Sequence, residues 1–189
     1  MWRMRDLAQQ GITAATVRRA VAEGAVAQIA RGVYRHPRAP YVRGERFAEL
    51  VARVPAALIC LNSAAEFHSF GDVEVSHVWA AIPFSQKPPI LDGPPFRPIR
   101  WRSEAALEVG VEEHQICGVR VRITGAARTV VDMLRMRSIV GEDLALDCLR
   151  HYHRQRRSAD ELTATAEALG VTTKLAQYLR VYSHIARPL

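Results

Sequence analysis

The spacing of apolar residues near the start of the chain predicts two successive helices. A short helix over about residues 4–10 is followed by a turn at Gly11. A second helix is expected from Thr13 to Glu23, because a threonine hydroxyl at the N-cap accepts an unpaired backbone N–H. The apolar stripe of this helix consists of Val17, Ala20, Val21 and Gly24. The opposite side carries Ala15, Arg18, Arg19 and Ala22. The outward face is therefore small and cationic.

A short β-hairpin is predicted directly after these helices. Residues 25–29 alternate as a strand does, residues 30–32 suit a tight turn, and Val33–Arg35 suits the return strand. Two helices followed by a ribbon with Arg31 at its tip have the order of a winged helix-turn-helix. Domains of this class read DNA with the second helix, which enters the major groove.

The candidate DNA-binding residues all lie in this first part of the chain. We expect Thr13 and Thr16 to contact phosphates or base edges. Arg18 or Arg19 is expected to reach a guanine or the DNA backbone. Arg31 and Arg35 are expected on flanking phosphates, which position a protein without specifying a sequence. A solvated surface helix with no partner gives the same polar pattern and remains the alternative.

The remaining residues, 41–189, predict a mixed α/β domain, so the expected fold class is α+β with a domain boundary after residue 40. Periodicity predicts a helix over 41–54, strands over 56–61, 75–82 and 99–102, a hairpin of 112–117 with 119–123, and helices over 126–136, 142–153, 158–170 and from 172 onward. Residues 83–98 hold six of the ten prolines and are predicted as a loop. Ser63 with Glu66, and Ser158 with Glu161, have the spacing of capping boxes.

The charge of the chain is concentrated in the predicted winged helix. The net charge is +7, and residues 1–40 contribute seven arginines and two acidic residues, a local charge of +5. This distribution indicates an anionic partner for that region. Three widely spaced cysteines do not suggest a disulfide framework. The absence of a signal-peptide core or a membrane-length apolar run favours a cytoplasmic protein with no membrane partner.

Catalytic motifs are missing from the sequence, so no enzyme activity, metal or cofactor is predicted. His151 and His153 fall on different helix faces and lack further ligands. Arg128 and Asp132 are four apart on a predicted helix, where a simple ion pair accounts for them. Two alternatives stay open: a nucleic-acid-processing enzyme such as a nuclease that a winged helix recruits, and a protein-interaction module whose arginines meet an acidic protein.

Two further basic segments are candidates for a second nucleic-acid surface. Arg120 and Arg122 lie on one face of a predicted strand, and residues 154–157 form a basic loop. A solvated sheet face is the commoner reason for such a pattern.

Several short segments, in this order, resemble the AbiEi-type antitoxins of type IV toxin–antitoxin systems. The similarity lies in Gly11-Ile-Thr13, Arg18-Arg19, Arg31-Gly-Val-Tyr34-Arg35, Ser63-Ala-Ala-Glu-Phe-His68, Ala81-Ile82-Pro83, Arg128-Thr-Val-Val-Asp132, Arg135-Met-Arg137 and the Leu144-Ala-Leu-x-x-Leu149 helix after Gly141. The resemblance covers nearly the whole chain.

This resemblance implies a DNA-binding repressor of its own operon that binds inverted repeats in its promoter through an N-terminal winged helix. It also implies a neighbouring toxin that resembles a nucleotidyltransferase, which the family counteracts without a stable complex. Toxin neutralisation is assigned to the C-terminal part. Only a few residues, within Met1–Arg5, precede the two helices, whereas a winged helix usually has one more helix there. Either that helix is missing from this sequence, or the unit is shortened and leans on the second domain.

Overall fold

A computed structural model describes residues 1–40, 42–73, 76–90 and 95–185. The first forty residues form a small unit of strand, helix, helix and hairpin. Its elements are β1 (Trp2–Arg3), α1 (Met4–Gln9), α2 (Ala14–Ala22), β2 (Ala27–Ala30) and β3 (Val33–Arg35). The three strands make one antiparallel sheet in the order β1-β3-β2. Both predicted helices and the predicted hairpin are confirmed.

The rest of the described chain forms a five-stranded mixed sheet with helices. In chain order its elements are α3 (Glu45–Arg53), β4 (Leu58–Ile59), α4 (Leu61–Phe67), β5 (Val78–Pro83), β6 (Phe96–Trp101), α5 (Glu104–Glu108), β7 (Val111–Ile116), β8 (Val119–Thr124), α6 (Ala126–Arg135), α7 (Arg137–Val140), α8 (Glu142–Arg154), α9 (Ala159–Ala168) and α10 (Thr172–Ile185). The predicted α+β class, with a small N-terminal region before a mixed sheet and C-terminal helices, is confirmed.

The sheet separates two hydrophobic cores. Its strand order is β6-β5-β4-β8-β7, with β5 parallel to β6 and β4 parallel to β8. Along β5, Val78, Ala80 and Ile82 pack with α3, whereas Trp79 and Ala81 pack with the core that contains α6. Successive side chains of a strand point to opposite faces, so one strand supplies both cores. The α6 core also takes in α8, α9 and α10.

Two sequence predictions in the second region were wrong. The loop predicted over residues 83–98 ends early, because β6 begins at Phe96. Pro98 is accommodated since β6 is an edge strand, where a missing N–H leaves no gap in the sheet. Ser63 does not cap a helix: α4 begins at Leu61, and the buried Ser63 hydroxyl accepts a hydrogen bond from the Trp79 backbone N–H at 2.9 Å. Val75, predicted to begin β5, lies outside the described residues.

The N-terminal unit rests against α3. The Arg53 guanidinium donates a hydrogen bond to the Ile29 carbonyl of β2, and Arg35 of β3 pairs with Glu45 of α3 at 2.9 Å. The unit has little core of its own, because α1 buries no residue and α2 buries only Val17. An open apolar groove of about 400 Å³ lies between the two helices. The unit is therefore held in part by its contacts with the second region.

Candidate nucleic-acid interface

The exposed face of α2 is built as the sequence predicts. Ala15, Arg18, Arg19 and Ala22 are all exposed, while Val17 on the opposite side is buried. Gly24, at φ +69°, ends the helix in the left-handed conformation that glycine adopts without strain. The helix therefore presents a surface of two arginines and two alanines to solvent.

Thr13 holds the start of α2. Its hydroxyl accepts a hydrogen bond from the Thr16 backbone N–H at 3.2 Å, which confirms the predicted N-cap. The two threonine hydroxyls also lie 3.0 Å apart, at hydrogen-bonding distance from each other. Both side chains are exposed, but their first role in the fold is to order the beginning of the helix.

The two arginines of α2 differ in their surroundings. Arg19 lies 3.9 Å from Glu23, one turn further along, and both side chains are largely exposed. Arg18 forms no ion pair with any described residue. An exposed ion pair of this kind contributes little, so neither guanidinium is held away from an external anion.

Arg31 lies at the tip of the hairpin and is exposed. Gly32 beside it has φ +72°, and its carbonyl accepts a hydrogen bond from the Met4 backbone N–H at 2.8 Å. The tip is thereby attached to the start of α1. Within the described chain Arg31, like Arg18, has no carboxylate partner.

A cleft lined by four arginines joins the hairpin tip to the second region. It has a volume of about 440 Å³, and its cationic side chains are Arg3, Arg5, Arg31 and Arg120. Arg5 lies 3.3 Å from Asp6 and Arg120 lies 3.5 Å from Glu113, both at exposed positions. The sequence pattern did not show this cluster, because Arg120 is 89 residues from Arg31 in the sequence.

Arg35 requires a correction. It was expected on a flanking phosphate, but its guanidinium lies 2.9 Å from Glu45 and donates to the Ala39 carbonyl at 2.9 Å. Its side chain is only 22 % exposed, and that of Glu45 only 6 %. Arg35 therefore fastens the hairpin to α3, and its charge is already neutralised within the fold.

The second basic segments are also largely occupied by internal contacts. Arg122 lies 2.8 Å from Glu108 and donates to the Leu107 carbonyl. Arg154 lies 3.3 Å from the His151 ring nitrogen, and Arg157 donates to the Gln155 side-chain oxygen at 2.9 Å. The structure thus gives Arg120 alone of these residues to the four-arginine cleft.

Arg128 and Asp132 form an ion pair, as predicted, but the pair is buried rather than exposed. Both side chains are 0 % exposed, and the Arg128 Nε lies 2.8 Å from one carboxylate oxygen of Asp132. The Arg135 guanidinium lies 2.8 Å from the other oxygen. Arg128 also donates to the Ala106 and Val109 carbonyls. Burial raises the pKa of Asp132, and Arg128 and Arg135 act in the opposite direction. This cluster connects α6 to the segment around α5, and it lies inside the protein.

Metal chemistry has no visible site in the part of the chain that the structure describes. That part contains no group of three or more histidine, cysteine or acidic side chains placed to hold a metal ion. His151 and His153 both lie on α8 and are partly exposed. None of the described helices is long and apolar enough to span a membrane.

Comparison with known proteins gives a result for the N-terminal region. Residues 3–37 match the model of a protein family described as transcriptional regulators, the AbiEi antitoxins. The resemblance inferred from the sequence is confirmed over these residues, which contain α1, α2 and the hairpin. The match ends before α3. No curated protein matches the chain.

Proposed function

We propose that this protein is a DNA-binding antitoxin that represses its own operon by binding promoter repeats through its N-terminal unit. One observation carries the proposal. The residues that match a family of transcriptional regulators are those that expose a small cationic helix face beside a hairpin with an arginine tip. The unit acts as a winged helix-turn-helix in which α2 is the recognition helix.

The surface of α2 suits entry into a major groove. Ala15 and Ala22 are exposed and small, so the helix backbone can approach base edges closely. Arg18, which has no internal partner among the described residues, reaches a guanine or a phosphate. Arg19 exchanges its exposed contact with Glu23 for a phosphate at little cost.

The hairpin supplies phosphate contacts on one side of this helix. Arg31 is the central residue, and the cleft extends its charge to Arg3, Arg5 and Arg120. Thr13 and Thr16 order the helix start and place their hydroxyls at its exposed end. Arg35 is replaced in the proposed contact set by Arg120, because Glu45 neutralises Arg35.

The second region, residues 41–189, is proposed to carry the antitoxin activity in the cytoplasm. Its counterpart is a nucleotidyltransferase-like toxin from the same operon, and the mechanism needs neither a stable complex nor a cofactor. The charge balance supports this division, since residues 41–189 hold 19 basic and 17 acidic residues, a net charge of +2 against +5 for residues 1–40. The strong cationic excess belongs to the N-terminal unit.

A gel-shift titration on the gene's own upstream DNA tests the proposal. The wild-type protein should bind this DNA at least tenfold more tightly than a scrambled duplex, since specific sites typically exceed non-specific binding by about a thousandfold or more. Arg18→Ala should weaken upstream binding more than scrambled binding if Arg18 reads a base. A promoter fusion in cells should be repressed by wild type and released in the same variant.

Arg150→Ala is the matched control, because Arg150 is an exposed arginine on α8 paired with Asp147. This variant should bind both the upstream and the scrambled duplex with the same affinity as the wild-type protein. Equal, weak binding of the two duplexes by the wild-type protein would contradict the proposal. Metal-dependent cleavage of the DNA would instead support the nuclease alternative.

A further inference from the structure

A second candidate surface lies at the carboxyl ends of the parallel strands β5 and β6. Pro83 and Trp101 are register partners at these ends, and the Phe84 backbone N–H donates to the Trp101 carbonyl at 2.8 Å. A cleft of about 400 Å³ opens beside them. Its walls include Pro83, Phe84, Trp101, Arg102, Glu104 and Leu107. Ligands of open α/β sheets characteristically bind at the carboxyl ends of parallel strands.

Two exposed arginines are stacked on an exposed aromatic ring in this cleft. The guanidinium carbons of Arg100 and Arg102 lie 4.2 and 3.9 Å from the centre of the Phe84 ring. Arg100 also donates a hydrogen bond to the Phe84 carbonyl. The ring is 38 % exposed. Each guanidinium is therefore held in a fixed position without being buried.

Neither arginine is neutralised by a carboxylate of the described chain. No ion pair between described residues involves Arg100 or Arg102, whereas Arg122 on β8 lies 2.8 Å from Glu108. A guanidinium packed on an aromatic ring keeps most of its N–H donors free for anions such as phosphate. The site thus combines fixed positive charge with an aromatic surface.

The same edge strand carries another exposed arginine on its opposite face. Arg97 lies 4.1 Å from the centre of the Trp79 ring and is exposed. Strand β6 is at one edge of the sheet, and β7 and β8 are at the other, where Arg120 lines the four-arginine cleft. The surface of Phe84, Arg100 and Arg102, here called the β6 edge surface, is therefore separate from the proposed duplex-binding face.

We propose that the β6 edge surface binds single-stranded nucleic acid. A base stacks on the outer face of the Arg102 guanidinium, which Phe84 supports, and Arg100 contacts an adjoining phosphate. Single strands are favoured over duplexes because only an unpaired base offers its ring faces for stacking. Glu104, the carboxylate of the cleft, can accept a hydrogen bond from a base amino group.

Fluorescence anisotropy with labelled twelve-nucleotide strands tests this inference on the full-length protein. The strands are oligo-rU, oligo-dT and a duplex of the upstream DNA. Arg100→Ala with Arg102→Ala should weaken binding of at least one single strand about tenfold or more, and Phe84→Leu about fivefold or more. The two homopolymers show whether RNA or DNA is preferred, and preference for either agrees with the proposal.

Two control variants separate this surface from the proposed DNA-binding face. Arg18→Ala with Arg31→Ala should weaken duplex binding and leave single-strand binding within about twofold of wild type. Arg150→Ala with Lys174→Ala, which removes two exposed charges elsewhere, should change neither. Absence of specific duplex binding would contradict the proposed function but not the single-strand inference, because the two are measured with different ligands.

A charge-preserving variant protects the test against misfolding. Arg100→Lys with Arg102→Lys keeps both charges but removes the planar stacking, so binding should fall by less than in the alanine variant and still below wild type. Circular dichroism melts check that each variant is folded. The inference is overturned if wild type binds neither single strand, or if the folded β6-edge variants bind single strands as wild type does.

Discussion

The helices α2 and α6 show how differently the two regions of this molecule use arginine. Helix α6 buries nine of its ten residues, including Arg128, whose charge is matched by Asp132 inside the core. Helix α2 buries one residue and leaves Arg18 and Arg19 in solvent. Buried charge must be paired within the fold, whereas exposed charge is free to meet an external partner. This difference supports the proposal that the second region supplies folding stability and the first supplies recognition.

The largest effect is expected from breaking the buried pair. Arg128→Ala leaves the buried Asp132 with Arg135 as its remaining ion-pair partner among the described residues, and Arg135 is partly exposed. It also removes the hydrogen bonds to the Ala106 and Val109 carbonyls. We expect a loss of about 3–5 kcal/mol in the free energy of unfolding. Urea denaturation followed by circular dichroism measures it. Arg150→Ala, at an exposed ion pair, should cost less than about 1 kcal/mol.

A smaller effect is expected at the junction of the two regions. Arg35→Ala removes the partner of the largely buried Glu45. We expect the free energy of unfolding to fall by about 2 kcal/mol, a value between those typical of exposed and of buried ion pairs. Glu45→Gln should loosen the same junction while keeping the arginine charge. If Arg35 acts through Glu45, both variants reduce protection of hairpin amides in hydrogen exchange. Weaker DNA binding in Arg35→Ala alone, with unchanged exchange, would restore the phosphate-contact interpretation.

An effect of pH is expected at His68. Its ring nitrogen lies 2.7 Å from the Thr124 carbonyl, and burial lowers the pKa of His68 below its usual value. The unfolded chain therefore takes up a proton before the folded protein does. Stability should fall as the pH decreases through about 6.5, by at most about 1.4 kcal/mol per pH unit.

The His68 effect is measured as a difference between variants. Urea midpoints at pH 7.5 and 5.5 should shift less in His68→Gln than in wild type. Since the other histidines are the same in both proteins, their contribution cancels. Equal shifts in the two proteins would show that His68 is not responsible.

The smallest effects come from two matched helix caps, one in each region. Thr13 and Ser158 each accept a hydrogen bond at 3.2 Å from the backbone N–H three residues ahead. Alanine at either position should destabilise its helix by about 1 kcal/mol. Only Thr13→Ala should also weaken DNA binding, because it disorders the start of the proposed recognition helix. Equal loss of DNA binding in Ser158→Ala would contradict the division between the regions.

Local patterns were sufficient to predict most elements of the fold. The alternation of Val119, Val121 and Ile123 predicted a half-buried strand, and these residues are 1 % exposed or less. The Thr13 and Ser158 caps were also readable, because the capping bond joins residues three apart. Such signals depend on residues close together in the sequence, and the predicted contacts are present in the structure.

Contacts between distant residues could not be read in the same way. Ser63 has the spacing of a capping box, but its hydroxyl serves Trp79 on a neighbouring strand. The partner of Arg35 is Glu45 across the linker, and Arg120 joins Arg31 only when the hairpin packs beside β8. For the candidate site, the sequence therefore predicted the α2 face and the hairpin tip, and it missed the cleft that joins them to the second region.

The most direct test of the account is the salt dependence of binding to the upstream duplex. The logarithm of the binding constant is measured against the logarithm of salt concentration for wild type, for Arg18→Ala with Arg31→Ala, and for the control Arg150→Ala with Lys174→Ala. Each lost phosphate contact should reduce the slope by about 0.9. The account predicts a shallower slope, by up to about 1.8 if both arginines contact phosphates, in the first variant and an unchanged slope in the control. Identical slopes for all three proteins would contradict it.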